Sequence, residues 1–281
     1  MDVLLESIQQ TMLEMLILFD SICRENGIHY TLHGGTLLGA VRHKGFIPWD
    51  DDLDVLMTRN DFNKFCSVWE RIKPKGYFLQ TKEIEEAYTR SFAKIRKENS
   101  LFLQDDENPD AIHTGIFIDI FPADRIPSGK IRFGIFRLTC YLNQLFTREF
   151  VPPKSKGIVK IGSVFLLKVT SHTFRMRIRS GLLRYLTRLK DDSELQWAVL
   201  ETPRTVLRHF PKDFFDSYTK IEFEGCVFSI IEKWDILLKM WFGDYMTLPP
   251  EEDRIWKHHP KAVDLESNYH DYLAMKRGVE E

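Results

Sequence analysis

The stretch Trp49-Asp50-Asp51-Asp52-Leu53-Asp54-Val55, reached from His33-Gly34-Gly35-Thr36 through a short basic loop, decides how the rest of the chain is read. In an extended strand, side chains i and i+2 point the same way and stand roughly 7 Å apart. Asp52 and Asp54 therefore share one face, while Leu53, Val55 and Met57 take the other face, toward a core. Two carboxylates on one strand face, downstream of a glycine turn, suit a divalent metal held against phosphates.

The flanking sequence supports that reading. Ile28, Tyr30 and Leu32 alternate as a short strand running into Gly34-Gly35, after which Thr36 is expected to cap a short helix through Val41. A strand, a glycine turn and a helix start expose backbone N–H groups and add the helix dipole, which makes an anion-binding corner. Arg42, His43 and Lys44 follow in the basic loop. Asn60 or Asp61 is expected to cap a scaffold helix with an apolar stripe of Phe62, Phe65, Trp69 and Ile72, ended by Pro74 and Gly76.

Phe92 to Arg96 reads as a strand with Lys94 and Arg96 on one face, and the acidic loop around Gln104-Asp105-Asp106-Glu107 reads as mobile. Gly115 to Pro122 is a strongly apolar strand with a single carboxylate, Asp119. Burying that acid without a partner costs several kcal/mol or forces its protonation. A salt bridge to a core cation and a third metal ligand beside Asp52 and Asp54 are the two explanations, and the acidic neighbours favour the second. In the last third, two short strands turn near Gly225, and Trp234, Leu237, Leu238 and Trp241 form a helix stripe halted at Gly243. His258 and His259, adjacent in sequence, read by themselves as a surface pair.

Composition sets the frame. With 281 residues, 43% apolar and 28% charged, the chain is an ordinary globular protein. Cys23, Cys66, Cys140 and Cys226 lie far apart without C-x-x-C spacing, so neither a disulfide framework nor a structural zinc is expected. Residues 3–25 read as an amphipathic helix preceded by Asp2, without the basic start of an export signal, so a cytoplasmic location is expected. The net charge of −2 hides an asymmetry: from Lys130 to Lys190 there are fourteen Lys or Arg residues against one acid, Glu149. That stretch carries +13, leaving −15 for the remainder, and so points to an anionic partner such as a membrane surface, a phosphate-rich glycan or nucleic acid. Its helical apolar runs are broken by cations too often to span a bilayer but suit an anionic membrane interface.

Taken together, Gly34-Gly35, Asp52-Leu53-Asp54-Val55 and Ile118-Asp119-Ile120 resemble the three-part signature of the nucleotidyltransferase (polymerase-β-like) superfamily. The run from Gly34 to Asp52 more closely resembles the LicD/fukutin-related family of phosphotransferases. Ala93 to Arg96 with Asn99, Gly115 to Pro122, Phe223-Glu224-Gly225, Gly243 to Met246 with Leu248-Pro249, and His258 extend the likeness over most of the chain. The basic stretch matches least, and Trp241-Phe242 stands where the family more often has an aliphatic residue and Tyr.

The resemblance implies an α+β nucleotidyltransferase core with a mixed sheet. Residues 1–129 would carry most of the site, 130–200 would be a basic helical insertion, and 201–281 would complete the catalytic part. It implies transfer of phosphocholine from CDP-choline to a sugar hydroxyl of a glycan acceptor, free or lipid-linked, with release of CMP. Asp52, Asp54 and Asp119 would hold two Mg2+ or Mn2+ ions, and Asp119 would take the acceptor proton. Gly34, Gly35 and Thr36, with Arg42 and Lys94, would bind the nucleotide phosphates. A quaternary ammonium calls for an aromatic cage, for which Trp49, Phe46, Phe117, Trp234 and Tyr245 are the candidates. Other cargoes on the same fold, namely glycerol phosphate, ribitol phosphate, phosphoethanolamine or a sugar phosphate, and a non-catalytic membrane- or nucleic-acid-binding module are the alternatives.

Overall fold

The computed structural model describes residues 3–151, 156–189, 195–202 and 204–279. Asp2 and two cations of the basic stretch, Lys154 and Lys190, lie outside them. The chain runs α1 (Val3–Glu25), β1 (Thr31–Leu32), α2 (Gly34–Arg42), β2 (Asp54–Thr58), α3 (Arg59–Ile72), β3 (Tyr77–Gln80), β4 (Ala93–Lys97), β5 (Leu101–Leu103) and β6 (Phe117–Ile126). It continues through α4 (Lys130–Arg148), α5 (Gly157–Val169), α6 (His172–Thr187), β7 (Gln196–Val199), β8 (Tyr218–Phe223), β9 (Cys226–Ile231), α7 (Trp234–Phe242), β10 (Ala262–Asp264) and α8 (Tyr269–Val279). The class is α+β. One compact unit comprises residues 1–88, 92–122 and 215–281, and the other 89–91 and 123–214, so the boundaries drawn from sequence at 129/130 and 200/201 both fall inside the second unit.

In the first unit the strand order β1-β2-β6-β4-β3 brings the chemistry-bearing strands side by side. The N–H of Asp119 on β6 donates to the carbonyl of Leu53, just before β2, at 2.8 Å. On its other side β6 pairs antiparallel with β4 in a register that sets Asp119 opposite Lys94. Leu53, Val55 and Met57 are fully buried, as the alternation requires. α1 buries Ile8, Met12, Met15, Leu16 and Phe19 at three- and four-residue steps, and Phe19 meets Tyr30 and Phe65 at ring-centroid distances of 4.9 and 5.0 Å.

The cap of α3 is Thr58, whose hydroxyl accepts from the Asp61 N–H, rather than Asn60 or Asp61. The buried stripe is Phe62, Phe65, Val68 and Trp69, and Ile72, at the C-terminal end of the helix, is exposed. β8 and β9 form the expected hairpin on a two-residue turn, Glu224-Gly225, with φ of 50° and 72°; positive φ at both positions matches the twist of the strands.

The acidic loop is pinned at Glu107, whose carboxylate forms an ion pair with the buried Arg96 guanidinium. Arg96 also donates to Gln80 Oε1 at 2.8 Å and to the Gly115 carbonyl at 2.9 Å. An interior guanidinium needs several acceptors, and this loop supplies one of them. Beside it His113 stacks on Phe78, accepts the Gly115 N–H at Nδ1, and is pushed down to about 4, first by burial and then by the Arg96 charge.

A histidine held below its unfolded value of about 6.5 stabilises the fold fully above that pH, and this contribution is lost as pH falls toward 4. His113→Asn keeps an acceptor for the Gly115 N–H, as in an Asx turn, and removes the titrating group. Urea unfolding at pH 7 and pH 5 should show the native chain losing about 1–2 kcal/mol more than His113→Asn over that interval, and equal losses would refute the assignment.

In the second unit, residues 123–126 of β6 pair with β7. Ile126, Phe136, Cys140, Leu186, Ala198, Leu200 and Val206 form its core, drawn from β6, α4, α6, β7 and the segment after it. The basic stretch is helical as its pattern predicts, and no described helix is long and apolar enough to cross a membrane.

Candidate active site

Gly34 and Gly35 are the first two residues of α2. A Cβ at Gly34, which has φ of 52°, would lie 2.6 Å from Asp54 Oδ2, and one at Gly35 would lie 2.2 Å from Asp50 Oδ2. Only glycine lets both carboxylates this close to the helix N-terminus, where unpaired N–H groups and the dipole favour negative charge. Thr36 is inside the helix instead of capping it. The N-cap is His33, and the Thr36 hydroxyl accepts the Asp54 N–H at 2.8 Å, pinning β2 to α2.

The carboxylate oxygens of Asp50, Asp51 and Asp52 come within 4.8 Å of one another. Asp51 is fully buried and accepts from the N–H groups of Lys257 (3.3 Å) and His258 (3.1 Å) and from His258 Nδ1 (3.0 Å). Burial alone would raise its pKa, but these bonds outweigh burial and hold it below the usual carboxylate range. Asp50 is buried, with Lys257 Nζ at 3.6 Å, and burial followed by the charge of Asp52 pushes it up to about 7. Asp52, 18% exposed, has His258 Nε2 at 3.9 Å and is raised by burial, with Asp119 and Asp51 adding and His258 and Lys257 opposing. Asp54 is raised well above its ordinary value by burial and then by Asp52, Asp119 and Asp50. Burial pulls His258 and Lys257 down, yet the surrounding carboxylates raise both overall.

Asp119 is buried with its Oδ1 2.7 Å from Lys94 Nζ, so the salt bridge expected as one of two explanations is formed. Lys94 Nζ also lies 3.3 Å from the centre of the Phe117 ring. Five carboxylates thus face three cationic side chains, Lys94, Lys257 and His258. An all-oxygen donor set with surplus negative charge fits Mg2+ or Mn2+. Asp52 and Asp54 are the members that reach the surface, since Asp50, Asp51 and Asp119 are buried.

Other candidates fall in two groups. Phe46 and Phe117 are core residues: Phe46 packs on Phe223 at 4.8 Å, and the Phe117 ring is covered by Lys94. Trp49, Trp234 and Tyr245 keep partial exposure; Trp49 has the Arg254 guanidinium 5.6 Å from its ring centre, and the Tyr245 hydroxyl donates to Asp235. Arg42 Nη1 donates to the Tyr245 and Thr247 carbonyls, tying the 245–247 segment to α2.

Sequence reasoning missed Lys257 and Gln9, and it gave neither Glu224 nor the histidine beside Asp52 its place. Gln9 Nε2 donates to the Asp50 carbonyl at 2.8 Å. Glu224 Oε1 accepts the Phe46 N–H and its own N–H donates to the Lys44 carbonyl, so the hairpin tip clips the loop that leads into the acids. The one signal for Glu224 and His258 was their place among the motifs of the family likeness.

The sheet gathers carboxylates against the N-terminus of α2, a donor set whose chemistry suits a hard cation. The sequence model of the family described as "LicD/FKTN/FKRP, nucleotidyltransferase domain" matches residues 27–154. The lipopolysaccharide cholinephosphotransferase LicD of Haemophilus influenzae is 31% identical over 264 residues, 92% of this chain and 97% of that protein. Uncharacterized proteins of Rickettsia typhi (43% identity, 21% of this chain and 19% of theirs) and Rickettsia prowazekii (34%, 39% and 42%) match shorter stretches. The chain belongs to the LicD family.

Proposed function

We propose that the site transfers phosphocholine from CDP-choline to a sugar hydroxyl of a cell-surface glycan, of lipopolysaccharide or teichoic acid type, releasing CMP. The observation that carries this reading is the clustering of Asp50, Asp51 and Asp52, with Asp50 and Asp54 against the N-terminus of α2, in a chain similar along 92% of its length to a lipopolysaccharide cholinephosphotransferase. The core is read as a nucleotidyltransferase fold of the polymerase-β type.

In this reading Asp52 and Asp54 hold Mg2+ or Mn2+ with Asp119 beneath them, and a bound ion would neutralise charge on the phosphoryl oxygens and the leaving group. Carboxylates already fill the corner at Gly34 and Gly35, so a diphosphate approaching those N–H groups needs cations between. The acceptor oxygen attacks the phosphorus that bears choline, the bond from that phosphorus to the bridging oxygen breaks, and CMP departs with the electron pair. Asp119 is buried and bonded to Lys94, which leaves it poorly placed to receive the hydroxyl proton. That proton goes to a carboxylate at the surface, Asp52 or Asp54. Lys94 acts through Asp119 and not on the phosphates. Trp49, Trp234 and Tyr245 remain the cage candidates, and nucleotide-linked donors place the reaction in the cytoplasm.

CMP release from CDP-choline, with a glycan extract as acceptor, should appear with Mg2+ or Mn2+ and vanish in EDTA, with choline recovered on the glycan. Release only from a CDP-linked glycerol, ribitol or ethanolamine donor would keep the mechanism and change the cargo. Metal-independent release would defeat the mechanism.

A further inference from the structure

We infer that α4 and α5 form a docking surface for an anionic bilayer, their apolar stripes entering the headgroup region and the flanking Lys and Arg side chains meeting lipid phosphates. α5 supplies the strongest observation. Large apolar side chains occupy most of its thirteen positions, yet its one buried residue is Ser163. Ile158, Ile161, Phe165 and Val169, which are 85, 71, 62 and 57% exposed, recur at steps of three, four and four residues and so form a single stripe. Amphipathic helices draw most of their stability from burying such a face, and the described residues leave this one uncovered. α4 presents a second exposed stripe, Ile131, Ile135 and Leu138. Gly134 and Leu138 of α4 and Ile158 and Gly162 of α5 line one groove of about 430 Å³, so the two stripes border each other. Tyr141 and Ser163, 2.7 Å apart at their hydroxyls, clasp the helices along it.

Charge selects the occupant. Lys130, Arg132 and Arg137 flank the α4 stripe, and Lys168 lies beside that of α5; all four are exposed. Glu149, the single acid between residues 130 and 190, is already shared by His172 (2.8 Å) and Arg175 (2.9 Å). An apolar crest ringed by cations matches an anionic lipid surface. A second copy would set the same cations against one another. No described helix is long and apolar enough to cross the bilayer, so the surface lies on it. This inference does not depend on which group the active site transfers.

The test is co-sedimentation of the full chain with vesicles of phosphatidylglycerol and phosphatidylcholine, or of phosphatidylcholine alone. At low ionic strength the chain should partition at least about tenfold more strongly onto the anionic vesicles and weaken as salt is added. Ile161→Asp/Phe165→Asp should cost about tenfold or more in partition. Both side chains are exposed, so the circular dichroism of that variant should be unchanged. Arg132→Glu/Lys168→Glu should weaken binding to anionic vesicles alone. Absence of binding at low salt, equal binding to neutral vesicles, or binding indifferent to the double Asp change would each overturn the inference. So would a dimer in sedimentation velocity that the double Asp change disperses, since the stripe would then be a self-association surface.

Discussion

Asp54→Asn should lower turnover about a thousandfold or more, equivalent to roughly 4 kcal/mol of transition-state stabilisation, while raising the melting temperature of the metal-free protein. Both effects follow from one geometry. Asp54 is pressed against the N-terminus of α2 and is raised well above the ordinary carboxylate range by burial and then by Asp52, Asp119 and Asp50. A carboxylate whose folded pKa exceeds its unfolded value of about 3.9 destabilises the fold when ionised. That cost grows as pH rises from the unfolded toward the folded value and is constant above it. Asn mimics the protonated form and removes the repulsion, which should gain about 1–3 kcal/mol at pH 8 in EDTA.

With Mg2+ or Mn2+ the order should reverse, because the native chain gains stability from a bound ion and the variant gains less. Asp52→Asn should share the loss of turnover. A loss below tenfold in folded protein would defeat the metal-assisted mechanism. A metal-free Asp54→Asn protein less stable than the native chain would show that the acid cluster is balanced by its cations and lacks the surplus on which the ion-binding reading rests.

How much of this site could be read from the sequence depends on the range of the interactions that build it. The convergence of Asp52 and Asp54 follows from strand alternation, α1 from its apolar spacing, and the 224–225 turn from glycine between two short strands; all are local. Thr36 was misplaced because its partner is the N–H of Asp54, eighteen residues away, and a side chain with a distant donor does not act as a cap. Asp51 shows the limit more sharply. It stands among four acids of similar appearance, yet it alone accepts three bonds from residues 257 and 258, some two hundred positions later. Alternation sets it apart from Asp52 and Asp54, but nothing near it in sequence names those distant partners. The fate of Asp119 turned on the register of β4 against β6, which alternation along either strand leaves open.

Lys94→Met carries the second large expectation, a destabilisation of about 3–5 kcal/mol in metal-free protein, the usual cost of stranding one partner of a buried ion pair. Lys94 and Asp119 are both buried, and the ammonium lies between the carboxylate at 2.7 Å and the Phe117 ring. Burial depresses the Lys94 pKa even though the charge of Asp119 opposes that shift, so the pair persists because each charge answers the other. Removing the lysine leaves Asp119 unpaired beside Asp52 and Asp54, which adds repulsion to desolvation. Asp119→Asn should be milder, since Asn still accepts a hydrogen bond from Lys94 and relieves the carboxylate cluster. Lys94→Met/Asp119→Leu should recover most of the loss, giving a coupling energy of about 2 kcal/mol or more in a double-mutant cycle. Urea unfolding in EDTA of the native chain, Lys94→Met, Asp119→Leu and the double variant closes the cycle, and Asp119→Asn is measured beside them. If Lys94 instead binds substrate phosphate directly, Lys94→Met would leave stability nearly unchanged and raise the KM for the CDP-linked donor, and the cycle would be additive.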